Sequence, residues 1–172
     1  MILNMGPILR GEINRMEIEY DLAPLRIHDV SFPEHAHVKG YLTDDAGYMR
    51  LFLHATLPYL GQCARCLSPV SGVFELDFER TVAAEGSITE EQLAEMDDAY
   101  VMIRDGKLDV DVPLGEELLM CFPLRLLCSE DCPGLCDKCG KPLRDGDCGC
   151  PKKEIDPRLA ILQKWVDKQE KE

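Results

Sequence analysis

Six cysteines fall within the 23 residues from Cys128 to Cys150, and their spacing limits what this stretch can fold into. They are Cys128, Cys132, Cys136, Cys139, Cys148 and Cys150, separated mostly by charged residues, Gly and Pro. Such a segment has too little apolar surface to order itself by burial, so it needs cross-links, either disulfides or metal. Met1 to Gly11 holds no long apolar run behind a basic start and no small-residue cleavage site, so a secretory leader is not expected. The expected setting is a reducing cytoplasm, where clustered cysteines bind metal more often than they form disulfides.

Counting ligands divides the thiols. Cys136 and Cys139 form a Cys-x-x-Cys knuckle, in which two thiolates grip one ion without straining the chain. Gly140 behind it is suited to the positive φ that such a turn requires. With Cys148 and Cys150 the knuckle makes four thiolates of the structural zinc type, leaving no coordination position open. Side chains two apart in a strand point to opposite faces, so Cys148 and Cys150 share an ion only if Gly149 turns the chain.

Cys63 and Cys66 form a second knuckle, and the unclaimed pair is Cys128 and Cys132, spaced so that both sulfurs fit on one side of a helical turn. Structural Zn²⁺ is expected at one site from the C-terminal four. A second site follows if Cys63, Cys66, Cys128 and Cys132 combine, stapling the sheet to the Cys-rich module. The competing reading of Cys63 and Cys66 is a thiol oxidoreductase, with Arg65 lowering a thiol pKa. That chemistry normally opens a helix after a strand, whereas Pro58 to Gln62 and Leu67 to Gly72 read as strand ends flanking a turn. The ninth cysteine, Cys121, reads as a buried small hydrophobe on a helix face.

The rest of the chain reads as α+β. Met16, Ile18 and Tyr20 alternate with Glu17, Glu19 and Asp21, which places the apolar side chains on one pleated face. Val38 to Leu42 and Tyr48 to Ala55 flank Asp44-Asp45-Ala46-Gly47, a hairpin turn. Phe74, Leu76 and Phe78 alternate with Glu75, Asp77 and Glu79. Tyr100 to Ile103, Arg104 to Lys107 and Leu108 to Val112 read as strand, turn, strand. A helix over residues 113–122 is predicted from Pro113 as its start, the spacing of Leu114, Leu118, Leu119 and Phe122, and Pro123 as its stop. An acidic excursion over 85–98 carries six acidic residues and no basic one, with a short helix from Thr89 to Glu95 behind a capping box at Ser87 and Glu90. Asp156 and Pro157 cap a C-terminal amphipathic helix whose face is Leu159, Leu162 and Val166, widened by Ile161 and Trp165.

The predicted organisation is thus a mainly antiparallel, partly barrel-like β domain over 1–123, a Cys-rich zinc-knuckle module over 124–154, and a helix over 155–172 that packs back on the body.

Charge narrows the partners. Nineteen basic against 32 acidic residues leave a net charge of −13, which opposes a broad grip on phosphates. Residues 151–172 carry six basic and five acidic side chains, so residues 1–150 hold a net of −14. An acidic body suits a basic protein partner. Where RNA is touched, the candidates are Arg65, Lys138, Lys141, Arg144, Lys152 and Lys153. The chain has no apolar run long enough to cross a bilayer as a helix and no phosphate-cradling Gly-rich loop, and His28, His35, His37 and His54 stand beside no recognisable nucleophile. Neither a small-molecule substrate nor a membrane partner is expected, and no catalytic residue stands out.

Five segments carry a family resemblance: Cys63-Ala64-Arg65-Cys66-Leu67, Leu114 to Leu119, the run from Leu127 to Gly140, Cys148-Gly149-Cys150, and Ile155 to Ala160. In this order the chain, from about Ile13 to Val166, resembles the YceD family of bacterial large ribosomal RNA subunit accumulation proteins. The resemblance implies a non-enzymatic factor in 23S rRNA synthesis, processing or accumulation and in large-subunit assembly. Its implied partners are 23S rRNA or its precursor, a basic large-subunit ribosomal protein, or both. The alternative within the same setting is an acidic, chaperone-like binder of a basic ribosomal protein.

Overall fold

The computed structural model describes residues 1–23, 30–84, 86–87 and 100–151. Apart from Gly86 and Ser87, the acidic excursion with its predicted helix lies outside the described residues, as do the C-terminal helix, His28, Lys152 and Lys153. The described residues fall into two compact units, divided between Glu130 and Asp131.

The first unit opens with a short strand β1 (Ile2–Asn4) and a single helical turn α1 (Gly6–Leu9), neither of which the residue pattern had suggested. Five strands then build the sheet: β2 (Arg15–Leu22), β3 (Ala36–Asp45), β4 (Tyr48–Gln62), β5 (Pro69–Ala84) and β6 (Tyr100–Ile103). They lie in the order β2-β3-β4-β5-β6. The first four are joined antiparallel, with Tyr20 opposite Val38, Lys39 opposite His54, and Leu53 opposite Phe78. The predicted turn at Asp44 to Gly47 is present, with Ala46 at φ 53° and Gly47 at φ 92°, the mirror-type turn whose twist matches a hairpin. Asp44 secures it by accepting the Gly47 N–H at 2.8 Å.

One expectation about the sheet needs correction. The sheet is open rather than barrel-like, because β2 and β6 end it without pairing to each other. Arg15, Glu17, Glu19 and Asp21 load the β2 edge strand with charge, a device that discourages further strand pairing. The sheet is mainly antiparallel, with β6 joining β5 in parallel, Val101 opposite Val82. The tight turn after β6 does form, with Arg104 and Lys107 exchanging N–H···O bonds of 2.9 Å. Beyond it, however, β7 (Lys107–Asp109) pairs antiparallel with β1 in a separate two-stranded ribbon.

The alternation read in the sequence sets the core. Ile18, Val38, Leu42, Leu51, Leu53, Ala55, Leu57, Phe78 and Val82 line one face of the sheet and are buried. Helix α2 (Asp111–Cys121) covers them with Leu114 and Leu118. It begins two residues before Pro113, which the first turn tolerates because those N–H groups have no intrahelical acceptor. It stops as predicted, with Phe122 extended at ψ 134° before Pro123. Leu119 and Cys121 face outward rather than into the core, and the Cys121 thiol reaches Glu117 Oε1 at 3.5 Å. Partial burial and that carboxylate push the thiol pKa up.

Gly40 marks a close approach between strands. A Cβ there would stand 2.0 Å from the Phe52 carbonyl oxygen, so only glycine fits. Behind the sheet Phe122 gathers the rings of Phe32, Tyr59 and Phe74, each edge-on to it.

Candidate metal centres

The first knuckle closes the β4–β5 hairpin. Both strands outrun β3, whose pairing with β4 reaches only His37 opposite Thr56, and they remain paired to Gln62 opposite Pro69. Cys63 and Cys66 sit in the loop between, which is the turn between strands that the sequence indicated and not the helix opening of a dithiol oxidoreductase. The Cys63 N–H donates to Ser68 O at 2.8 Å and the Leu67 N–H to Cys63 O at 2.9 Å. Leu67 therefore adopts φ 57°, a left-handed conformation that a branched side chain rarely takes.

The second knuckle repeats this pattern in the second unit. The Cys136 N–H donates to Lys141 O and the Gly140 N–H to Cys136 O, both at 2.9 Å, with Gly140 at φ 72°. Gly140 thus has the positive φ expected of it. So does Gly149, at φ 69°, and it bends the chain between Cys148 and Cys150. A 3₁₀ turn (Leu143–Asp145) leads into that bend.

These turns collect eight of the nine cysteines into two groups: Cys63, Cys66, Cys128 and Cys132, and Cys136, Cys139, Cys148 and Cys150. Within each group all four sulfurs lie within 4.8 Å of one another, and each group could hold a metal ion. The division is the one that ligand counting gave. Cys66 Sγ and Cys128 Sγ are 3.6 Å apart, and Ser68 Oγ lies 3.2 Å from Cys66 Sγ.

The electrostatics favour thiolate at one cysteine of each knuckle. Burial opposes ionisation of Cys63, but backbone N–H groups of Cys128, Arg65 and Cys66 point at its sulfur and bring its pKa down to about 6. N–H donors from Cys139 and Lys138 do the same for Cys136, lowered to about 7. A hydrogen bond from Cys150 to Cys139 leads the causes that push Cys150 up to about 12. Crowded thiols without a cation share protons in this way, and a metal replaces those protons.

The basic candidates are placed unevenly. Arg65 directs Nη1 to the Glu130 carbonyl at 3.0 Å, tying the first knuckle to the loop that carries Cys128. The Ala64 N–H adds a 2.8 Å bond to Leu126 O. Lys138 and Lys141 are exposed on the second knuckle, and Arg144 pairs locally with Asp145 at 3.5 Å. Reading by residue type missed Leu67, Ser68 and the Leu126 carbonyl, since none is a ligand and a leucine carries no turn signal. Among the described residues no helix is long and apolar enough to cross a membrane.

The chain is 37% identical over 105 residues to uncharacterized proteins of Mycobacterium bovis and Mycobacterium tuberculosis, covering 61% of this chain and 49% of each relative. A further uncharacterized protein, of Mycobacterium leprae, is 32% identical over 107 residues, covering 62% of this chain and 48% of its own. The chain thus spans about half the length of these curated relatives. No solved structure matches it. The model of one family, "Large ribosomal RNA subunit accumulation protein YceD", matches residues 51–165. That span runs over more than half of the chain and takes in both cysteine groups, and the chain belongs to the YceD family.

Proposed function

We propose that this protein is a non-enzymatic, cytoplasmic factor that supports accumulation of 23S rRNA and assembly of the large ribosomal subunit, with a structural Zn²⁺ in each cysteine group. The observation that carries the reading is the family match across residues 51–165, a family named for large ribosomal RNA subunit accumulation and not for a reaction. The zinc assignment rests on the donor set. Four thiolates at zinc–sulfur bonds of about 2.3 Å in a tetrahedron stand about 3.8 Å apart. The 3.6 Å between the Cys66 and Cys128 sulfurs fits that edge.

In this reading Cys63, Cys66, Cys128 and Cys132 hold one ion and Cys136, Cys139, Cys148 and Cys150 the other. The ions order loops that have little core of their own, and Arg65, Lys138, Lys141, Arg144, Lys152 and Lys153 are the residues that contact precursor 23S rRNA. The net charge of −13 supports a second reading, in which a basic large-subunit ribosomal protein is the direct contact. Crosslinking in cells, with recovery of both RNA and protein, separates the two. Depleting the protein should lower 23S relative to small-subunit rRNA, and an unchanged ratio would overturn the assignment. Changing Lys138, Lys141, Arg144, Lys152 and Lys153 together to Glu should release the protein from precursor large subunits; undiminished association would remove these residues from the interface.

A further inference from the structure

The two cysteine groups differ in how much protein shields their sulfurs. Each contains one exposed cysteine, Cys128 in the first and Cys139 in the second. Behind Cys128 the other three are buried, with Cys63 at 0%, Cys66 at 3% and Cys132 at 3% exposure. Behind Cys139 only Cys136 is buried, while Cys148 and Cys150 are half-buried.

The supporting backbone differs in the same direction. The first knuckle is clamped by the β4–β5 ribbon and by the bonds from Ala64 to Leu126 and from Arg65 to Glu130. The second group is flanked by Gly140, Gly146 and Gly149, and an added Cβ at any of the three would meet nothing within 4 Å. These glycines have open space around them and stand next to sulfurs that solvent reaches.

We propose that the group of Cys136, Cys139, Cys148 and Cys150 is an oxidant-sensitive modification site, in which Cys139 is the sulfur attacked by a peroxide and metal release is the consequence. The inference rests on the reading that both groups hold zinc. The Cys139 thiolate attacks one peroxide oxygen, the O–O bond breaks, and Cys139 becomes a sulfenic acid as hydroxide leaves. The Cys150 thiolate, whose sulfur lies within 4.8 Å of that of Cys139, attacks that sulfur and displaces a second hydroxide. A disulfide forms, two protons convert the hydroxides to water, and one peroxide has taken two electrons from two thiolates. The ion is left with two of its four ligands and departs. Thiol susceptibility follows thiolate character and access, and access distinguishes this group from the first.

The experiment uses the full, zinc-loaded chain. Metal content is measured first, and fewer than two zinc ions per chain would sink the two-zinc reading itself. Hydrogen peroxide is then added while released zinc is followed with a colorimetric chelator and cysteines are mapped by differential alkylation and mass spectrometry. One equivalent should leave on the order of tenfold faster than the other, with the first disulfide joining Cys139 to Cys150. Release of both ions together, or a first disulfide containing Cys63, Cys66, Cys128 or Cys132, overturns the inference while leaving the two-zinc reading intact. Cys139→His keeps four zinc ligands but removes the nucleophile, so it should retain two ions and slow the fast release on the order of tenfold. Equally fast release from that variant removes Cys139 from the role, and if it holds fewer than two ions the disulfide map of the unaltered chain decides.

Discussion

Replacing Phe122 probes how the β domain supports its knuckle. Phe122 is 3% exposed and sits edge-on to three rings, Phe32 at 5.7 Å and 78°, Tyr59 at 5.4 Å and 89°, and Phe74 at 5.2 Å and 69°. Edge-to-face pairs contribute roughly 0.5–1.5 kcal/mol each beyond the area they bury. Phe122→Leu preserves most of the apolar burial and loses the ring geometry, so three pairs partly replaced by aliphatic contacts imply a cost of about 2 kcal/mol. Phe122→Ala also leaves a cavity among the rings of Phe32, Tyr59 and Phe74, two of them fixed on paired strands, placing the cost at about 4–5 kcal/mol. The assay is urea unfolding of the zinc-loaded chain followed by circular dichroism, reading the shift in midpoint at constant slope. A cost below about 0.5 kcal/mol for Phe122→Leu would refute the argument that ring orientation, rather than buried area, holds this corner together.

The same substitution should reach the metal. Phe122 is followed by Pro123 and by buried Leu126, whose carbonyl accepts the Ala64 N–H between the two cysteines of the first knuckle. Loosening this segment weakens the alignment of Cys63 and Cys66 with Cys128. Zinc affinity of the first group, measured by chelator competition, should fall roughly five- to tenfold in Phe122→Ala, about 1 kcal/mol. The second group draws no backbone hydrogen bond from this segment among the described residues, and its affinity should hold.

Gly40→Ala forces a Cβ to 2.0 Å from the Phe52 carbonyl, which only a backbone shift relieves. Its cost in thermal or urea unfolding should be about 3 kcal/mol, and a near-neutral result would mean that β3 and β4 are not so close. The Cβ of Gly140→Ala meets no atom within 4 Å, so only the strain of φ 72° remains and the cost should be about 1–2 kcal/mol. Leu67→Gly, at the matching position, should be neutral within about 0.5 kcal/mol, because relief of strain is offset by the greater freedom of glycine in the unfolded chain. The metal-free chain should gain stability from pH 6 toward pH 9. Cys63 at about 6 and Cys136 at about 7 lie below the unfolded thiol value of 9.0, so their contributions are full above 9 and are lost as pH falls through 7 and then 6. Cys150, raised to about 12, contributes fully below 9 and loses that contribution between 9 and 12, which places the optimum near pH 9; apo stability falling from pH 6 to pH 8 would contradict this. Stripping zinc with a chelator should abolish amide protection at Cys136 and Gly140 while that of Leu51, Leu53 and Leu57 persists, as hydrogen exchange would report.

Much of the fold was readable because period and burial are directly coupled in a half-wet sheet. Ile18 against Glu17 and Glu19, and Phe78 against Asp77 and Glu79, announce which face is inside, and Asp44 to Gly47 announce where the chain reverses. Pairing order is a different kind of fact. Nothing in Tyr100-Val101-Met102-Ile103 says that this strand lies parallel to β5, because a four-residue strand has the same alternation in either direction. The turn at Asp105-Gly106 also reads as an ordinary hairpin, yet its second strand is claimed by β1, a segment of three residues too short to show a period. Closure into a barrel is likewise a property of the edges, and alternation along a strand does not report it.

The cysteine groups were legible for a reason that does not apply to the sheet. Ligand count is an integer constraint: tetrahedral zinc takes four donors, six clustered cysteines cannot satisfy whole ions, and the remainder points to a pair upstream. Gly149 could be assigned its bend because two thiolates spaced i, i+2 reach one ion in no other way. What the count could not supply is the backbone around the sulfurs. At Cys136 that backbone is visible in Gly140, whose φ of 72° matches its residue type. At Cys63 the same pair of hydrogen bonds places Leu67 at φ 57°, and a leucine gives no hint of it. The strained position and the favourable one serve the same turn. The N–H groups aimed at the sulfurs, rather than the identity of the residue behind the second cysteine, are therefore what defines the knuckle, and they are the part a side-chain pattern does not encode.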